Sequence, residues 1–162
     1  MENESTSTYD GATGITTTAV SFHQIDFLAR SIARKLKNDK ITHVIGLARG
    51  GLIPATIISY KLYVPLLSYG ISSYDFSSEA GEFEINQSID FNDLKNVIDP
   101  HVLVVDDICD TGDTMHCICD KISLAGIKAK YATLYTKKKH RKFLDHYGVV
   151  VPDSTWIEFP WE

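Results

Sequence analysis

The sequence predicts an α/β domain with a mainly parallel, twisted sheet flanked by helices, and three observations predict it. Short apolar runs alternate along the chain with stretches of helical period, the pattern of βα units. The run Val102-Leu103-Val104-Val105 is unbroken, which suits a strand buried on both faces rather than one facing water. Glycine-bearing turns, Ala48-Arg49-Gly50-Gly51 and Asp110-Thr111-Gly112, follow two of the predicted strands where helices begin. Ligands of open α/β sheets bind at such carboxyl ends.

The 162 residues fit one domain. Residues 1–14 are polar and without period, and read as a flexible N-terminal tail; residues 15–162 read as a single domain. Ser21 with Gln24 forms a capping-box pattern, and Ile25, Leu28, Ile32 and Leu36 then recur at helical spacing. Thr42–Leu47 reads as a strand, and a helix follows from about Ile53 to Leu62. Pro65–Tyr74 reads as a strand leaving into a loop. In the polar, acidic stretch 75–96, the alternation of Phe83, Ile85, Ile89 and Phe91 allows a small hairpin or strand pair, and its length makes it a candidate mobile lid.

Val102–Val105 then leads into Asp106-Asp107. Met115, Ile118, Cys119, Ile122 and Ala125 define a helical face that Gly126 ends. Lys130–Thr136 is the next strand, followed by the basic cluster 137–142, of which Lys137 lies at the strand's carboxyl end. Val149–Val151 is a last core strand, and the Trp156- and Trp161-bearing end of the chain is expected to dock. No internal repeat is evident.

With 44% apolar and 23% charged residues the composition is that of an ordinary globular protein. The net charge of −5 argues against a general nucleic-acid binder. No apolar run is long enough to cross a bilayer and the first residues are polar, so no membrane role and a cytoplasmic location are expected. Cys109, Cys117 and Cys119 are read as reduced structural thiols, not a zinc site.

The stretch 102–115 carries the chemistry. Gly112 permits a tight turn, and the N–H groups of residues 111–114 open a helix, where unpaired donors and the helix dipole favour a phosphate. Acids flanking a phosphate cradle require a cation such as Mg²⁺ between them, or a substrate offering hydroxyls. Arg49 with Gly50 and Gly51 forms a second anion-binding turn.

The apolar strand, Asp106-Asp107, two spacers and Asp110-Thr-Gly-x-Thr114 resemble the phosphoribosyl-diphosphate signature of type I phosphoribosyltransferases. Leu47-Ala-Arg-Gly-Gly-Leu-Ile-Pro54, Ser73-Tyr74 and Thr155-Trp-Ile-Glu158 with Pro160-Trp161 are similar to segments of the bacterial xanthine-guanine (6-oxopurine) branch. The resemblance runs from about residue 15 to the end. It implies the type I phosphoribosyltransferase fold, a C-terminal hood segment (152–162) over the purine, and a mobile loop (75–96).

It also implies transfer of a 5-phosphoribosyl group from phosphoribosyl diphosphate to guanine, xanthine or hypoxanthine with Mg²⁺, giving the nucleoside monophosphate and pyrophosphate. By the same resemblance Thr111, Gly112, Asp113 and Thr114 hold the 5′-phosphate, and Asp106 and Asp107 face the ribose hydroxyls or the metal. Arg49 and Gly50 contact pyrophosphate, with a cis Ala48–Arg49 peptide, and Arg49 stabilises the leaving charge. Asp110 is the acid/base group. Lys137, Trp156 and Ile157 bind the purine, Glu158 helps hold a second metal ion, and the chain forms a homodimer or homotetramer. Two features depart from the family pattern: residues 75–94 contain no Lys or Arg, and Asp113 sits within the phosphate cradle. The alternatives are a regulator on the same fold that binds nucleotide and nucleic acid, and a transferase for another base.

Overall fold

The computed structural model describes residues 5–73, 83–87, 89–94 and 96–162. Its elements in chain order are β1 (Thr6–Asp10), β2 (Ile15–Ala19), α1 (Phe22–Lys35), β3 (His43–Ala48), α2 (Leu52–Leu62), β4 (Leu66–Ser73), β5 (Phe83–Gln87) and α3 (Phe91–Leu94). After these come β6 (His101–Cys109), α4 (Asp113–Leu124), β7 (Lys128–Lys137), a 3₁₀ turn at Arg141–Phe143, β8 (His146–Val151) and β9 (Thr155–Glu158).

The main sheet has the order β5-β4-β3-β6-β7-β8. Its five strands from β4 to β8 are parallel, and β5 pairs antiparallel on the β4 edge. Of the hairpin or strand pair that the alternation in 75–96 allows, the described residues contain one strand, β5, which pairs with β4, while Phe91 begins α3 instead of continuing a strand. The remainder of the expected lid at positions 75–82, 88 and 95 lies outside the described residues, as does Tyr74.

β6 is central, and its side chains divide the core. Leu103 and Val105 pack with Ile25, Ile32 and Leu36 on the α1 side and Ile58 of α2. Val102 and Val104 pack on the other face with Met115, Ile118 and Ile122 of α4. All four strand residues are fully buried, which is why they read as an unbroken apolar run. α1 starts as its sequence predicts: the Ser21 N–H donates to Gln24 Oε1 at 2.7 Å, and the Gln24 N–H donates to Ser21 Oγ at 3.3 Å.

The N-terminal expectation needs correction. Residues 6–10 are not a loose tail but strand β1, paired antiparallel with β2. Asp10 closes the turn between them by accepting from the Ala12 N–H at 2.9 Å and the Thr13 hydroxyl at 2.7 Å. β1 is exposed throughout, so burial imposed no apolar alternation on its sequence. β2 in turn pairs in parallel with β9, giving a second, three-stranded sheet of order β1-β2-β9. The C-terminal residues dock as expected: Phe159 and Trp161 stack with centroids 4.8 Å apart, and Phe22 lies 6.2 Å from Trp161.

Burial holds three histidines, His43, His101 and His146, below their usual value of 6.5. A histidine so depressed binds fewer protons folded than unfolded. Its contribution is present above the unfolded value and is lost as pH falls from there through the folded one. Between about pH 7.5 and pH 5.5 the three histidines therefore lower the melting temperature as pH falls, against the opposite contribution of buried carboxyls raised in the folded state. Thermal unfolding followed by circular dichroism should show a smaller acid-side loss when His43, His101 and His146 are replaced by glutamine, and an unchanged pH dependence in that variant would refute the assignment.

Candidate active site

β6 carries its acids at the end of the sheet where β3 also stops. The Asp107 N–H donates to Asp106 Oδ1 at 3.0 Å, and the Ile108 N–H donates to Asp107 Oδ1 at 2.7 Å. Burial pushes the Asp106 carboxyl well above its ordinary range, and the neighbouring Asp107 charge pushes it further. Burial also raises Asp107, and the charge of Glu162 adds to this. Adjacent part-buried carboxylates of this kind are suited to a divalent ion, which commonly takes one or two carboxylates and completes its shell with substrate oxygens and water.

The turn after β3 is pressed onto this pair. Ala48–Arg49 is a cis peptide bond. A Cβ on Gly50 would lie 1.8 Å from Asp107 Oδ2, and one on Gly51 would lie 2.5 Å from the Val105 carbonyl oxygen and 2.8 Å from that of Leu47. Only residues without a side chain let the turn lie this close to β6. The Arg49 side chain is exposed.

The second turn opens α4. Gly112, at φ +88°, precedes the helix and offers its first turn no side-chain cap. Two imidazoles brace it: His116 Nδ1 lies 2.8 Å from the Gly112 carbonyl oxygen, and His140 Nδ1 lies 2.9 Å from where a Gly112 Cβ would be. His116 rests on Phe143 at 4.2 Å. The Asp113 N–H donates to Thr111 Oγ1 at 3.4 Å; Thr111 and Asp113 are exposed and Thr114 is half-buried. Cys109, just before the turn, is held as a thiol, pushed up to about 11 by burial and by the Asp106 and Asp110 charges.

Lys137 is the last residue of β7 and 4% exposed, whereas Lys138, Lys139, Arg141 and Lys142 of the same cluster are solvated. Its Nζ donates to the carbonyl oxygens of Pro152 at 3.3 Å, Asp153 at 3.1 Å and Thr155, and pairs with Asp110 Oδ1 at 3.4 Å. On β9, Thr155 and Ile157 are buried while Trp156 and Glu158 share the open face, Trp156 being 55% exposed. The carbonyls of Ser154 and Glu158 accept from Thr16 and Val20 on the β2 side. By the two-residue period of a strand the Ile157 carbonyl points the opposite way, off the free edge of β9.

The structure thus brings together Gly50, Asp106 and Asp107, and separately Asp110, Lys137 and the 152–155 turn. Glu158 shares a face with Trp156 and has no contact with the acid pair among the described residues. Sequence reasoning missed His116, His140 and Glu162. The last accepts from the Phe159 N–H at 3.1 Å and reaches Asp107 only electrostatically, and no local pattern announces it.

A family model described as phosphoribosyl transferase domain matches residues 12–162. The xanthine-guanine phosphoribosyltransferases of Idiomarina loihiensis and Desulfotalea psychrophila are 30% and 33% identical to this chain over 145 residues, which is 88% of it and 85% and 84% of theirs. The crystal structure of a purine phosphoribosyltransferase from Pyrococcus horikoshii is similar at a TM-score of 0.79 and 32% identity, over 90% of this chain and 94% of that one.

Gly50→Ala tests the packing of the two turns. The added methyl must displace the Asp107 carboxylate, and turnover should fall by about two orders of magnitude while the chain stays folded. Steady-state rates beside a circular dichroism spectrum check this; a near-normal rate would show that the contact is not needed.

Proposed function

Since the chain belongs to the phosphoribosyl transferase domain family, we propose that it is a purine-salvage enzyme that moves the 5-phosphoribosyl group from phosphoribosyl diphosphate onto a 6-oxopurine. The observation that carries this reading is the seating of the Arg49-Gly50-Gly51 turn directly on the Asp107 carboxylate. It sets an anion-binding turn and an acid pair around one small space, as a pyrophosphate leaving from a ribose requires. The names of the relatives at 30% identity or more support the 6-oxopurine class.

In this reading the first turn of α4, Thr111 to Thr114, holds the 5′-phosphate. Asp113 directs its exposed carboxylate to solvent and contributes its N–H. Asp106 and Asp107 face the ribose hydroxyls and hold Mg²⁺, directly or through its water; their raised protonation marks a pair whose ionised form a cation would stabilise. When bound, the ion supplies charge neutralisation at the pyrophosphate. Glu158 is assigned to a second ion.

The purine nitrogen forms its bond to the anomeric carbon as the bond to pyrophosphate breaks, through an oxocarbenium-like state. Arg49 and Gly50 receive the developing charge of the pyrophosphate. Trp156 stacks on the ring, and the Ile157 carbonyl accepts from the purine edge. Asp110 exchanges the proton at the imidazole side of the purine. Lys137 donates to the 6-oxo group, which requires one of its N–H bonds to leave the 152–155 carbonyls. A 6-amino purine would present a donor to that buried donor and be rejected. We assign the enzyme to the cytoplasm as a homodimer or homotetramer, without a nucleic-acid or membrane partner. No described helix is long and apolar enough to cross a membrane.

Pyrophosphate release by purified protein with Mg²⁺, phosphoribosyl diphosphate and guanine, xanthine, hypoxanthine, adenine or uracil in turn tests the reading. Turnover is expected with the 6-oxopurines alone. Binding of phosphoribosyl diphosphate without turnover on any base would instead favour a regulator. Asp110→Asn should lower kcat by about 10²–10⁴-fold with little change in the KM for phosphoribosyl diphosphate; a wild-type rate would remove its acid/base role.

A further inference from the structure

α1 and α2 line an open cavity of about 710 Å³ that shares no lining residue with the site above. Its walls include Phe27, Arg30, Arg34 and Lys37 from the α1 side, and Lys61 with Tyr63 from the end of α2. None of these residues has a part in the phosphoribosyl or purine assignments. The cavity lies at the opposite end of α2 from Gly51.

The charge of this cavity runs against that of the protein. The chain as a whole carries −5, yet the cavity gathers four cationic side chains and one carboxylate. That carboxylate, Asp26, is already taken by Arg30, whose Nε lies 2.6 Å from it. Arg34, Lys37 and Lys61 are exposed and have no ion-pair partner among the described residues. Three unpaired cations lining one concavity favour an anion there, and the low-dielectric protein walls focus their field.

The lining also includes two exposed aromatic rings. Phe27 is 59% and Tyr63 is 94% exposed, so two aromatic faces stand open to solvent. Residues 27, 30, 34 and 37 follow one another at spacings of three and four, which places them in a single stripe along α1 and its C-terminal turn. From Phe27 to Lys37 the stripe extends about 15 Å. A ligand that engages all of these groups carries an aromatic ring and several negative charges. A single inorganic phosphate would leave the rings bare, and an apolar ligand would leave the cations without partners. The volume is that of a small-molecule site.

We propose that this cavity is a second ligand site, for a nucleoside polyphosphate, with the base against Phe27 and Tyr63 and the phosphates at Arg34, Lys37 and Lys61. Stacking supplies affinity for the ring without demanding one base. The guanidinium of Arg34 offers a two-pronged phosphate contact, and the two lysines act as point charges. No residue of the transferase site takes part, so the second site stands or falls separately from the reading of that one.

Irradiation of the full chain with an azido-purine nucleoside triphosphate, followed by mass-spectrometric mapping of the adducts, tests this. Saturable labelling is expected within residues 23–37 or 60–63, with inorganic tripolyphosphate competing. In the double variant Arg34→Glu, Lys61→Glu, that labelling should fall by about tenfold or more. Labelling around Trp156 and the rate of the transferase reaction should not change, which also shows that the variant is folded. Adducts confined to residues 137–158 would overturn the proposal. So would labelling of α1 that survives the double variant, or labelling that disappears as protein concentration rises because a second copy covers the face.

Discussion

The terminal nitrogen of Lys137 is the point on which the upper half of the molecule depends. It ends a strand of the main sheet, is almost wholly buried, and is surrounded by three carbonyl oxygens of the 152–155 turn and by Asp110. A buried amino group without such partners would carry a desolvation cost of several kcal/mol. The turn that satisfies it leads straight into β9, and β9 holds β2 and, through it, β1. This side chain brings the 152–155 turn up to Asp110, and the burial of Val20, Ile157 and Phe159 in the core shared with β6 and β7 ties the small sheet to the large one. Under the proposed function, a base entering this site would compete with the protein's own carbonyls for that nitrogen.

The other half of the site rests on the absence of side chains. Gly50 and Gly51 let one turn touch the acids and backbone of β6, while Gly112 lets the other bend under His140. Both turns bring main-chain donors toward the acids between them, and burial holds the carboxyls of those acids above their ordinary range. Polarity here is thus held against a gradient of burial, as expected where a charged ligand and its counter-ion complete the charge balance.

Much of this was legible in the sequence, and the limits have physical causes. β6, α1 and α4 announce themselves because burial on both faces, a capping box and a regular apolar stripe each leave a pattern within a dozen residues. The two glycine turns are legible because φ and close approach restrict the residue type. β1 reads as tail in the sequence because a fully exposed strand is under no such restriction. The partners of Lys137 are main-chain oxygens, which any sequence supplies, so only the fold reveals them. His140 and Glu162 act through distant segments, and the cationic cavity exists only once α1 and α2 lie side by side.

The pairing of β2 with β9 joins residues near the two ends of the sequence, Thr16 with Thr155 among them. During synthesis the first hairpin leaves the ribosome while its partner strand is still untranslated. Its free edge must stay soluble through the whole interval, and threonines along it suit that wait better than valines or isoleucines would. The contact is also the kind that closes late in folding, since the chain between must already be ordered to bring the ends together. A nascent chain would therefore assemble the two glycine turns beside β6 before β9 could pair with the edge of β2.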